Sequence, residues 1–397
     1  MYAPARGVLE SNSPSNAGGS LQPHPPPWEN AVSLIFCRSI GFIEVFFLRN
    51  SEAVTVAQVG EFDEVIDVRS ESEFAEDHIP GALNCPVLND AERARVGTIY
   101  KQVSSFEAKK IGAALVGRNI ANHVETTFAS RDRNWRPVIY CWRGGTRSSS
   151  LAEVLRQIGW RADRLDGGYK TYRRAVIADL ETGPAKFNWH VICGLTGSGK
   201  SRLLRAVQAD GAQVLDLEAL AAHRGSVLGN LPDEPQPSQK MFESLIWAQL
   251  RKFDPAKPVF VEAESKRIGR LRVPEAVIAA MWQADCIRVE ASMALRVKLL
   301  HDEYQHFVAD PALMSKQLDC LVSIYGQARI SSWQAMAAAR DGDTLVRELL
   351  ELHYDPAYTR STLKHYPRLT HAAVMKLTEA SDAEFEQLAA SCAGMAK

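Results

Sequence analysis

With 397 residues, the chain is long enough for two or three domains with separate cores. Its 46% hydrophobic and 23% charged residues are those of a globular protein, which excludes a chain disordered throughout. A formal net charge of −1 excludes global attraction to nucleic acid, so any RNA contact must come from a local basic patch.

In chain order, residues 1–50 form an N-terminal extension. Its first thirty residues are rich in Pro, Ser, Asn and Gly and too poor in large apolar side chains to offset ordering entropy, so the extension is expected to be largely disordered. The most apolar stretch, 31–48, is broken by Arg38 and Glu44, and no basic segment of a secretory signal precedes it. No membrane partner is expected. The seven cysteines, Cys37, Cys85, Cys141, Cys193, Cys286, Cys320 and Cys392, form no C-x-x-C pair; this fits a reducing compartment, the cytoplasm, better than a zinc site or a disulfide framework, and no metal-ligand set is assigned.

Residues 51–178 read as an α/β domain. The runs 64–68 and 137–140 are short apolar strands, and 148–158 carries Leu151, Val154, Leu155 and Ile158 at helical spacing before Gly159. Between strand and helix lies Cys141-Trp142-Arg143-Gly144-Gly145-Thr146-Arg147. A cysteine at a strand end, followed by small residues and a helix start, meets converging backbone N–H groups; with Arg143 and Arg147 these favour a thiolate, a nucleophile at neutral pH. Arg143, Gly144, Gly145, Thr146 and Arg147 form the expected anion cradle. The spacing also fits C-x₅-R, the pattern of cysteine phosphatases, although Tyr140 stands where those enzymes usually carry a histidine. A redox-sensing thiol in a nucleotide-gated binding module is a third reading.

Residues 179–189 read as a linker around Gly183-Pro184, and 190–300 as a second α/β domain with strands near 191–192, 213–215 and 258–261. Gly194-Leu195-Thr196-Gly197-Ser198-Gly199-Lys200-Ser201 matches G-x-x-x-x-G-K-[ST] between a strand and a helix. Gly194, Gly197, Ser198 and Gly199 bring N–H groups onto an anion at a helix N-terminus, Lys200 neutralises it, and the Ser201 hydroxyl is placed to help hold Mg²⁺. The motif leaves open whether the anion is a nucleotide or a diphosphate ester. Glu262 and Glu264, after the strand 258–261, form a candidate acidic site. Residues 301–397 read as a helical C-terminal region.

Several segments together carry a resemblance. Asp67-Val68-Arg69, Glu73-Phe74, His78-Ile79-Pro80-Gly81-Ala82-Leu83-Asn84 and Asp166-Gly167-Gly168-Tyr169 resemble a rhodanese domain. The stretch 92–102, Phe106-Glu107-Ala108, Cys141-Trp142-Arg143-Gly144-Gly145, the P-loop, Phe260-Val261-Glu262-Ala263-Glu264-Ser265 and Tyr354-Asp355-Pro356-Ala357-Tyr358 resemble the tRNA 2-selenouridine synthase family, over about residues 51–370. The resemblance implies a rhodanese-like open parallel sheet followed by a P-loop NTPase-like α/β domain. It also implies a selenotransferase acting on wobble 2-thiouridine in tRNA through an S-geranyl intermediate, with Cys141 handling selenium. Geranyl diphosphate and selenophosphate are then co-substrates, no cofactor is tightly bound, and the P-loop cradles a diphosphate. A rhodanese-family sulfurtransferase, or a C-x₅-R phosphatase with a regulatory nucleotide domain, is the alternative. Candidate tRNA contacts are Lys170, Arg173 and Arg174, near Tyr169 and Tyr172, and Lys266, Arg267 and Arg270.

Overall fold

A computed structural model describes residues 54–395 apart from 227, 232, 233, 306, 308 and 309. The disorder expected of residues 1–50 falls outside the described residues, as does Cys37.

The first sheet has four short parallel strands, β1 (Glu64–Asp67), β2 (Leu83–Asn84), β3 (Pro137–Tyr140) and β4 (Asp163–Arg164), in the order β2-β1-β3-β4. Parallel neighbours require crossovers. These are α1 (Glu71–Glu76), α2 (Asp90–Gln102) with α3 (Ser105–Glu125), and α4 (Thr146–Ile158), while α5 (Gly168–Thr182) follows β4. β3 is buried along its whole length, and the two-residue period divides its side chains. Val138 and Tyr140 enter one core with Leu165 and Tyr172; Ile139 and then Cys141 enter another with Ile66, Val68, Leu151 and Leu155.

The second sheet has five parallel strands in the order β11-β10-β5-β7-β6: β5 (Asn188–Cys193), β6 (Gln213–Leu215), β7 (Pro258–Glu262), β10 (Asp285–Ala291) and β11 (Ala373–Leu377). A small antiparallel hairpin, β8 (Arg267–Ile268) with β9 (Leu271–Arg272), stands beside it. The flanking helices include α6 (Lys200–Ala209), α7 (Leu217–Leu220), α8 (Gln239–Leu250), α9 (Glu275–Trp282) and α10 (Met293–Glu303). The same alternation sends Trp189, Val191 and Cys193 of β5 into the core that holds Val138 and Tyr140, and Ile192 into a separate one with Leu203 and Phe260.

The two sheets therefore share a core, and α5, α8 and α9 fill it. Tyr172 of α5 meets Trp247 of α8 edge-on at 5.4 Å, and the Trp247 indole donates to Asp179 Oδ2 at 2.8 Å. Residues 179–189, read from Gly183-Pro184 as a linker, are instead the end of α5, a 3₁₀ turn at Gly183–Lys186 and the start of β5. Leu180, Pro184, Phe187 and Trp189 are buried there, so the connection is part of the core. The region after 300 is mainly helical, as expected, with helices including Pro311–Leu318, Val322–Ala338, Gly342–Leu349, Asp355–His365 and Asp382–Met395, but it also returns β11 to the sheet edge. No helix among the described residues is long and apolar enough to cross a membrane.

A buried ion pair pins the first sheet to α5. Asp67 is 0% and Arg69 1% exposed, with Arg69 Nη2 2.6 Å from Asp67 Oδ2. The same guanidinium donates to the Asp77 carbonyl at 2.6 Å and lies 4.1 Å over the Tyr169 ring. Arg69→Met leaves the Asp67 carboxylate buried without its cation, and should cost about 3–5 kcal/mol, read as a lower midpoint of chemical denaturation. A midpoint within experimental scatter of the unmodified protein would contradict this.

Candidate functional site

Cys141 follows the last residue of β3, and Gly144 and Gly145 turn the chain into α4 at Thr146. Its Sγ lies 3.3 Å from Ser148 Oγ. Burial alone would push the thiol up. The Ser148 hydroxyl, the amides of Ser148 and Arg143 and the charge of Arg147 outweigh it, so the group sits below the ordinary thiol range. Cys141 is only 3% exposed, at the base of a loop whose Trp142, Arg143, Gly145 and Thr146 face solvent.

α5 holds this loop in place. The amides of Tyr169 and Lys170 donate to the carbonyls of Cys141 and Trp142 at 2.9 and 3.0 Å. Gly168 has φ +60°, and a Cβ there would lie 2.2 Å from the Cys141 carbonyl oxygen, so only glycine permits the approach. The closing segment 166–169 thus works by supporting the cysteine loop from beneath. Arg147, expected to face an anion, is bound by Glu73 at 2.9 Å, and Arg93 reaches the same carboxylate oxygen at 2.9 Å. Ser148 and Glu73 both bear on this site. The first was legible as the residue one turn into the helix after the cysteine; the second, 74 positions from Arg147, had no local signal of contact.

The P-loop spans the end of β5 and the start of α6. Gly199, with φ +83°, caps the helix where an added Cβ would press the Phe385 ring at 2.9 Å. Lys200 is 9% exposed; its Nζ lies 3.5 Å from Glu262 Oε1 and donates to the Leu195 carbonyl at 3.2 Å. Burial would lower its pKa, but Glu262, followed by Tyr358, Glu218 and Glu264, more than offsets this, and the ammonium stays charged. The Ser201 hydroxyl donates to Glu262 Oε2 at 2.8 Å. Ser198 Oγ is buried with no hydrogen-bond partner among the described residues.

The C-terminal helices clamp this loop. Gly194 N–H donates to Tyr358 Oη at 2.7 Å, and Arg296 donates to the Thr196 carbonyl at 2.8 Å while forking onto Asp355 at 2.5 and 3.0 Å. The segment 354–358 therefore braces the phosphate loop. Tyr366 Oη bridges the amide and carbonyl of Glu264 at 3.1 and 3.0 Å.

Carboxylate oxygens of Glu218, Glu262 and Glu264 lie within 4.8 Å of one another. Burial and the charges of Glu262 and Glu264 push Glu218 up to about 11; burial and Glu262 push Glu264 up to about 8. Three such oxygen donors beside Ser201 fit a hard divalent cation. Glu262 and Glu264 were named from sequence, but Glu218 was not; its only signal was an acidic residue just past β6. These groups line a cavity of 440 Å³ with Arg205 and Arg224. Cys141 is not among its walls.

The basic residues proposed to meet RNA divide. Lys170 and Arg174 are exposed on α5, and Lys266, Arg267 and Arg270 are exposed on or beside the β8–β9 hairpin. Arg173 does not join them. It ion-pairs with Glu243 of α8 and lies 3.9 Å from Asp77, which commits it to the contact between the two sheets' helices.

Two family models match the chain: a rhodanese-like domain over residues 51–175, and a tRNA 2-selenouridine synthase AAA domain over residues 187–318. Among curated proteins, the tRNA 2-selenouridine synthase of Nitrosomonas europaea is 37% identical over 244 residues, covering 60% of this chain and 63% of that protein. That of Aeromonas salmonicida is 36% identical over 245 residues (61% and 65%), and that of Bdellovibrio bacteriovorus 35% over 246 residues (60% and 64%). The match spans a little under two thirds of the length of each of these relatives. The cysteine loop lies in the first matched segment and the P-loop in the second, so the chain is similar to the tRNA 2-selenouridine synthases across both.

Proposed function

We propose that the chain is a cytoplasmic transferase that converts wobble 2-thiouridine of tRNA to 2-selenouridine in two steps. In the first, the thiocarbonyl sulfur bonds to C1 of geranyl diphosphate; the C1–O bond breaks, its electron pair leaves with diphosphate, and the N3 proton is released to solvent. In the second, the selenium of selenophosphate bonds to C2 and the geranylthio group departs as a thiolate; water then cleaves the Se–P bond, releasing phosphate, and N3 regains its proton. Alkylation is what makes the second step accessible, because it turns a C=S sulfur into a leaving group.

The observation that carries this reading is Cys141, held toward its thiolate by Ser148 and the loop amides in a chain similar to the tRNA 2-selenouridine synthases. That group handles selenium. The P-loop amides, Lys200 and Ser201 receive the departing diphosphate, an electrostatic role that needs no nucleotide hydrolysis. A divalent cation held by Glu218, Glu262, Glu264 and Ser201, when bound, supplies further positive charge to that leaving group. The phosphatase reading is weakened by Glu73, whose carboxylate occupies Arg147, the arginine a C-x₅-R enzyme would turn toward its phosphate. Lys170, Arg174 and the hairpin cations are the proposed tRNA contacts.

Mass spectrometry of nucleosides from 2-thiouridine-bearing tRNA tests both roles. Cys141→Ser should abolish 2-selenouridine while S-geranyl-2-thiouridine accumulates; selenouridine at the unmodified level removes the thiol from the mechanism. Lys200→Ala should lower geranylation about a hundredfold, the usual effect of losing one charge-stabilising donor; undiminished geranylation removes the P-loop from that step.

The thiol itself can be titrated by its alkylation rate. The inflection for Cys141 should lie below that of a free thiol, and Ser148→Ala, which removes the strongest group favouring the anion, should move it upward. An inflection that Ser148→Ala leaves in place would show that the hydroxyl does not hold the anion.

A further inference from the structure

A second cavity, of 160 Å³, adjoins the P-loop cavity. The two share Thr196, Ser226, Leu300, Tyr304 and Tyr354 as common walls. Beyond that shared wall the lining is mostly apolar, with Leu228, Met314, Ala337, Leu345, Val346 and Leu349, and with His301 and Arg340 as polar members. Most of these side chains belong to the helices Pro311–Leu318, Val322–Ala338 and Gly342–Leu349, whose packing forms a core separate from that of either sheet.

We propose that this chamber receives the hydrocarbon tail of the prenyl diphosphate and sets the chain length that the enzyme accepts. The inference rests on the P-loop reading above and adds the subsite and its selectivity. An apolar cavity of roughly 150 Å³ takes a hydrocarbon about the size of benzene. The second isoprene unit of a geranyl tail is of that size, and the first then spans the shared wall to the diphosphate at Lys200. A nucleotide directed the same way would bring the polar edges of a ribose and base into a lining with few partners for them, which opposes its binding. A third isoprene unit has no room.

Ala337 and Met314 line the chamber but not the P-loop cavity, so they alter the tail's space without touching the phosphate groups. The full chain would be given 2-thiouridine-bearing tRNA with equal amounts of dimethylallyl, geranyl and farnesyl diphosphate, and the alkylated nucleosides counted by mass spectrometry. The unmodified protein should transfer chiefly geranyl. Ala337→Leu should lower geranyl relative to dimethylallyl transfer by about tenfold or more, and Met314→Ala should raise farnesyl relative to geranyl transfer by a similar factor. Retained dimethylallyl transfer by Ala337→Leu reports an intact fold. If Met314→Ala keeps the unmodified protein's ratios, the chamber does not measure the tail and the inference falls. If the unmodified protein transfers no prenyl group of any length, the reading beneath it falls as well.

Discussion

A parallel strand that runs into a helix leaves, at the turn between them, backbone N–H groups that neither the sheet ladder nor the helix can pair. Both candidate sites are built on that constraint. After β3 the free amides meet the sulfur of Cys141; after β5 they surround the place where an anion would sit before Lys200. The remaining features of each site decide which negative group is favoured. A hydroxyl and an arginine already paired with Glu73 suit a thiolate, whereas a buried lysine, a serine and three glutamates suit a phosphate ester with a cation.

These turns are held by elements distant in sequence. α5 supplies the amides that fix the cysteine loop from one side, and farther along the same helix Tyr172 and Asp179 engage Trp247 of α8. The cysteine loop and the packing between the sheets thus share a single rigid support. The P-loop is braced in an analogous way by Tyr358 and the Arg296–Asp355 pair, contributed by α10 and the helix Asp355–His365, which lie between β10 and β11 in the chain. α10, which carries Arg296, also contributes Leu300 and His301 to the wall of the apolar chamber, so one helix both steadies the phosphate loop and helps shape the space beside it.

What the sequence made legible was local. β1, β3, β5, β6 and β7 lie where apolar runs placed them, and both loops follow from residues within a span of eight, because strand, turn and helix start are neighbours in the chain. What stayed hidden depends on distant partners. Arg173 looked like a free cation until α8 brought Glu243 to it, and Glu218 became part of an acidic triad only when β6 and β7 paired. β11 could not be read as a strand because its exposed, mixed composition is meaningful only at a sheet edge. Gly183-Pro184 carried the usual signal of a linker, but the aromatic residues after it belong to a core that only tertiary packing creates.

The central claim is that the two anion cradles act in sequence on one nucleotide, with prenylation preparing the sulfur for selenium. The direct test is to isolate tRNA carrying S-geranyl-2-thiouridine and supply it with the protein and selenophosphate, omitting geranyl diphosphate. The account predicts 2-selenouridine from this substrate and none from unalkylated 2-thiouridine tRNA under the same conditions. Conversion of the unalkylated tRNA at an equal rate would contradict it.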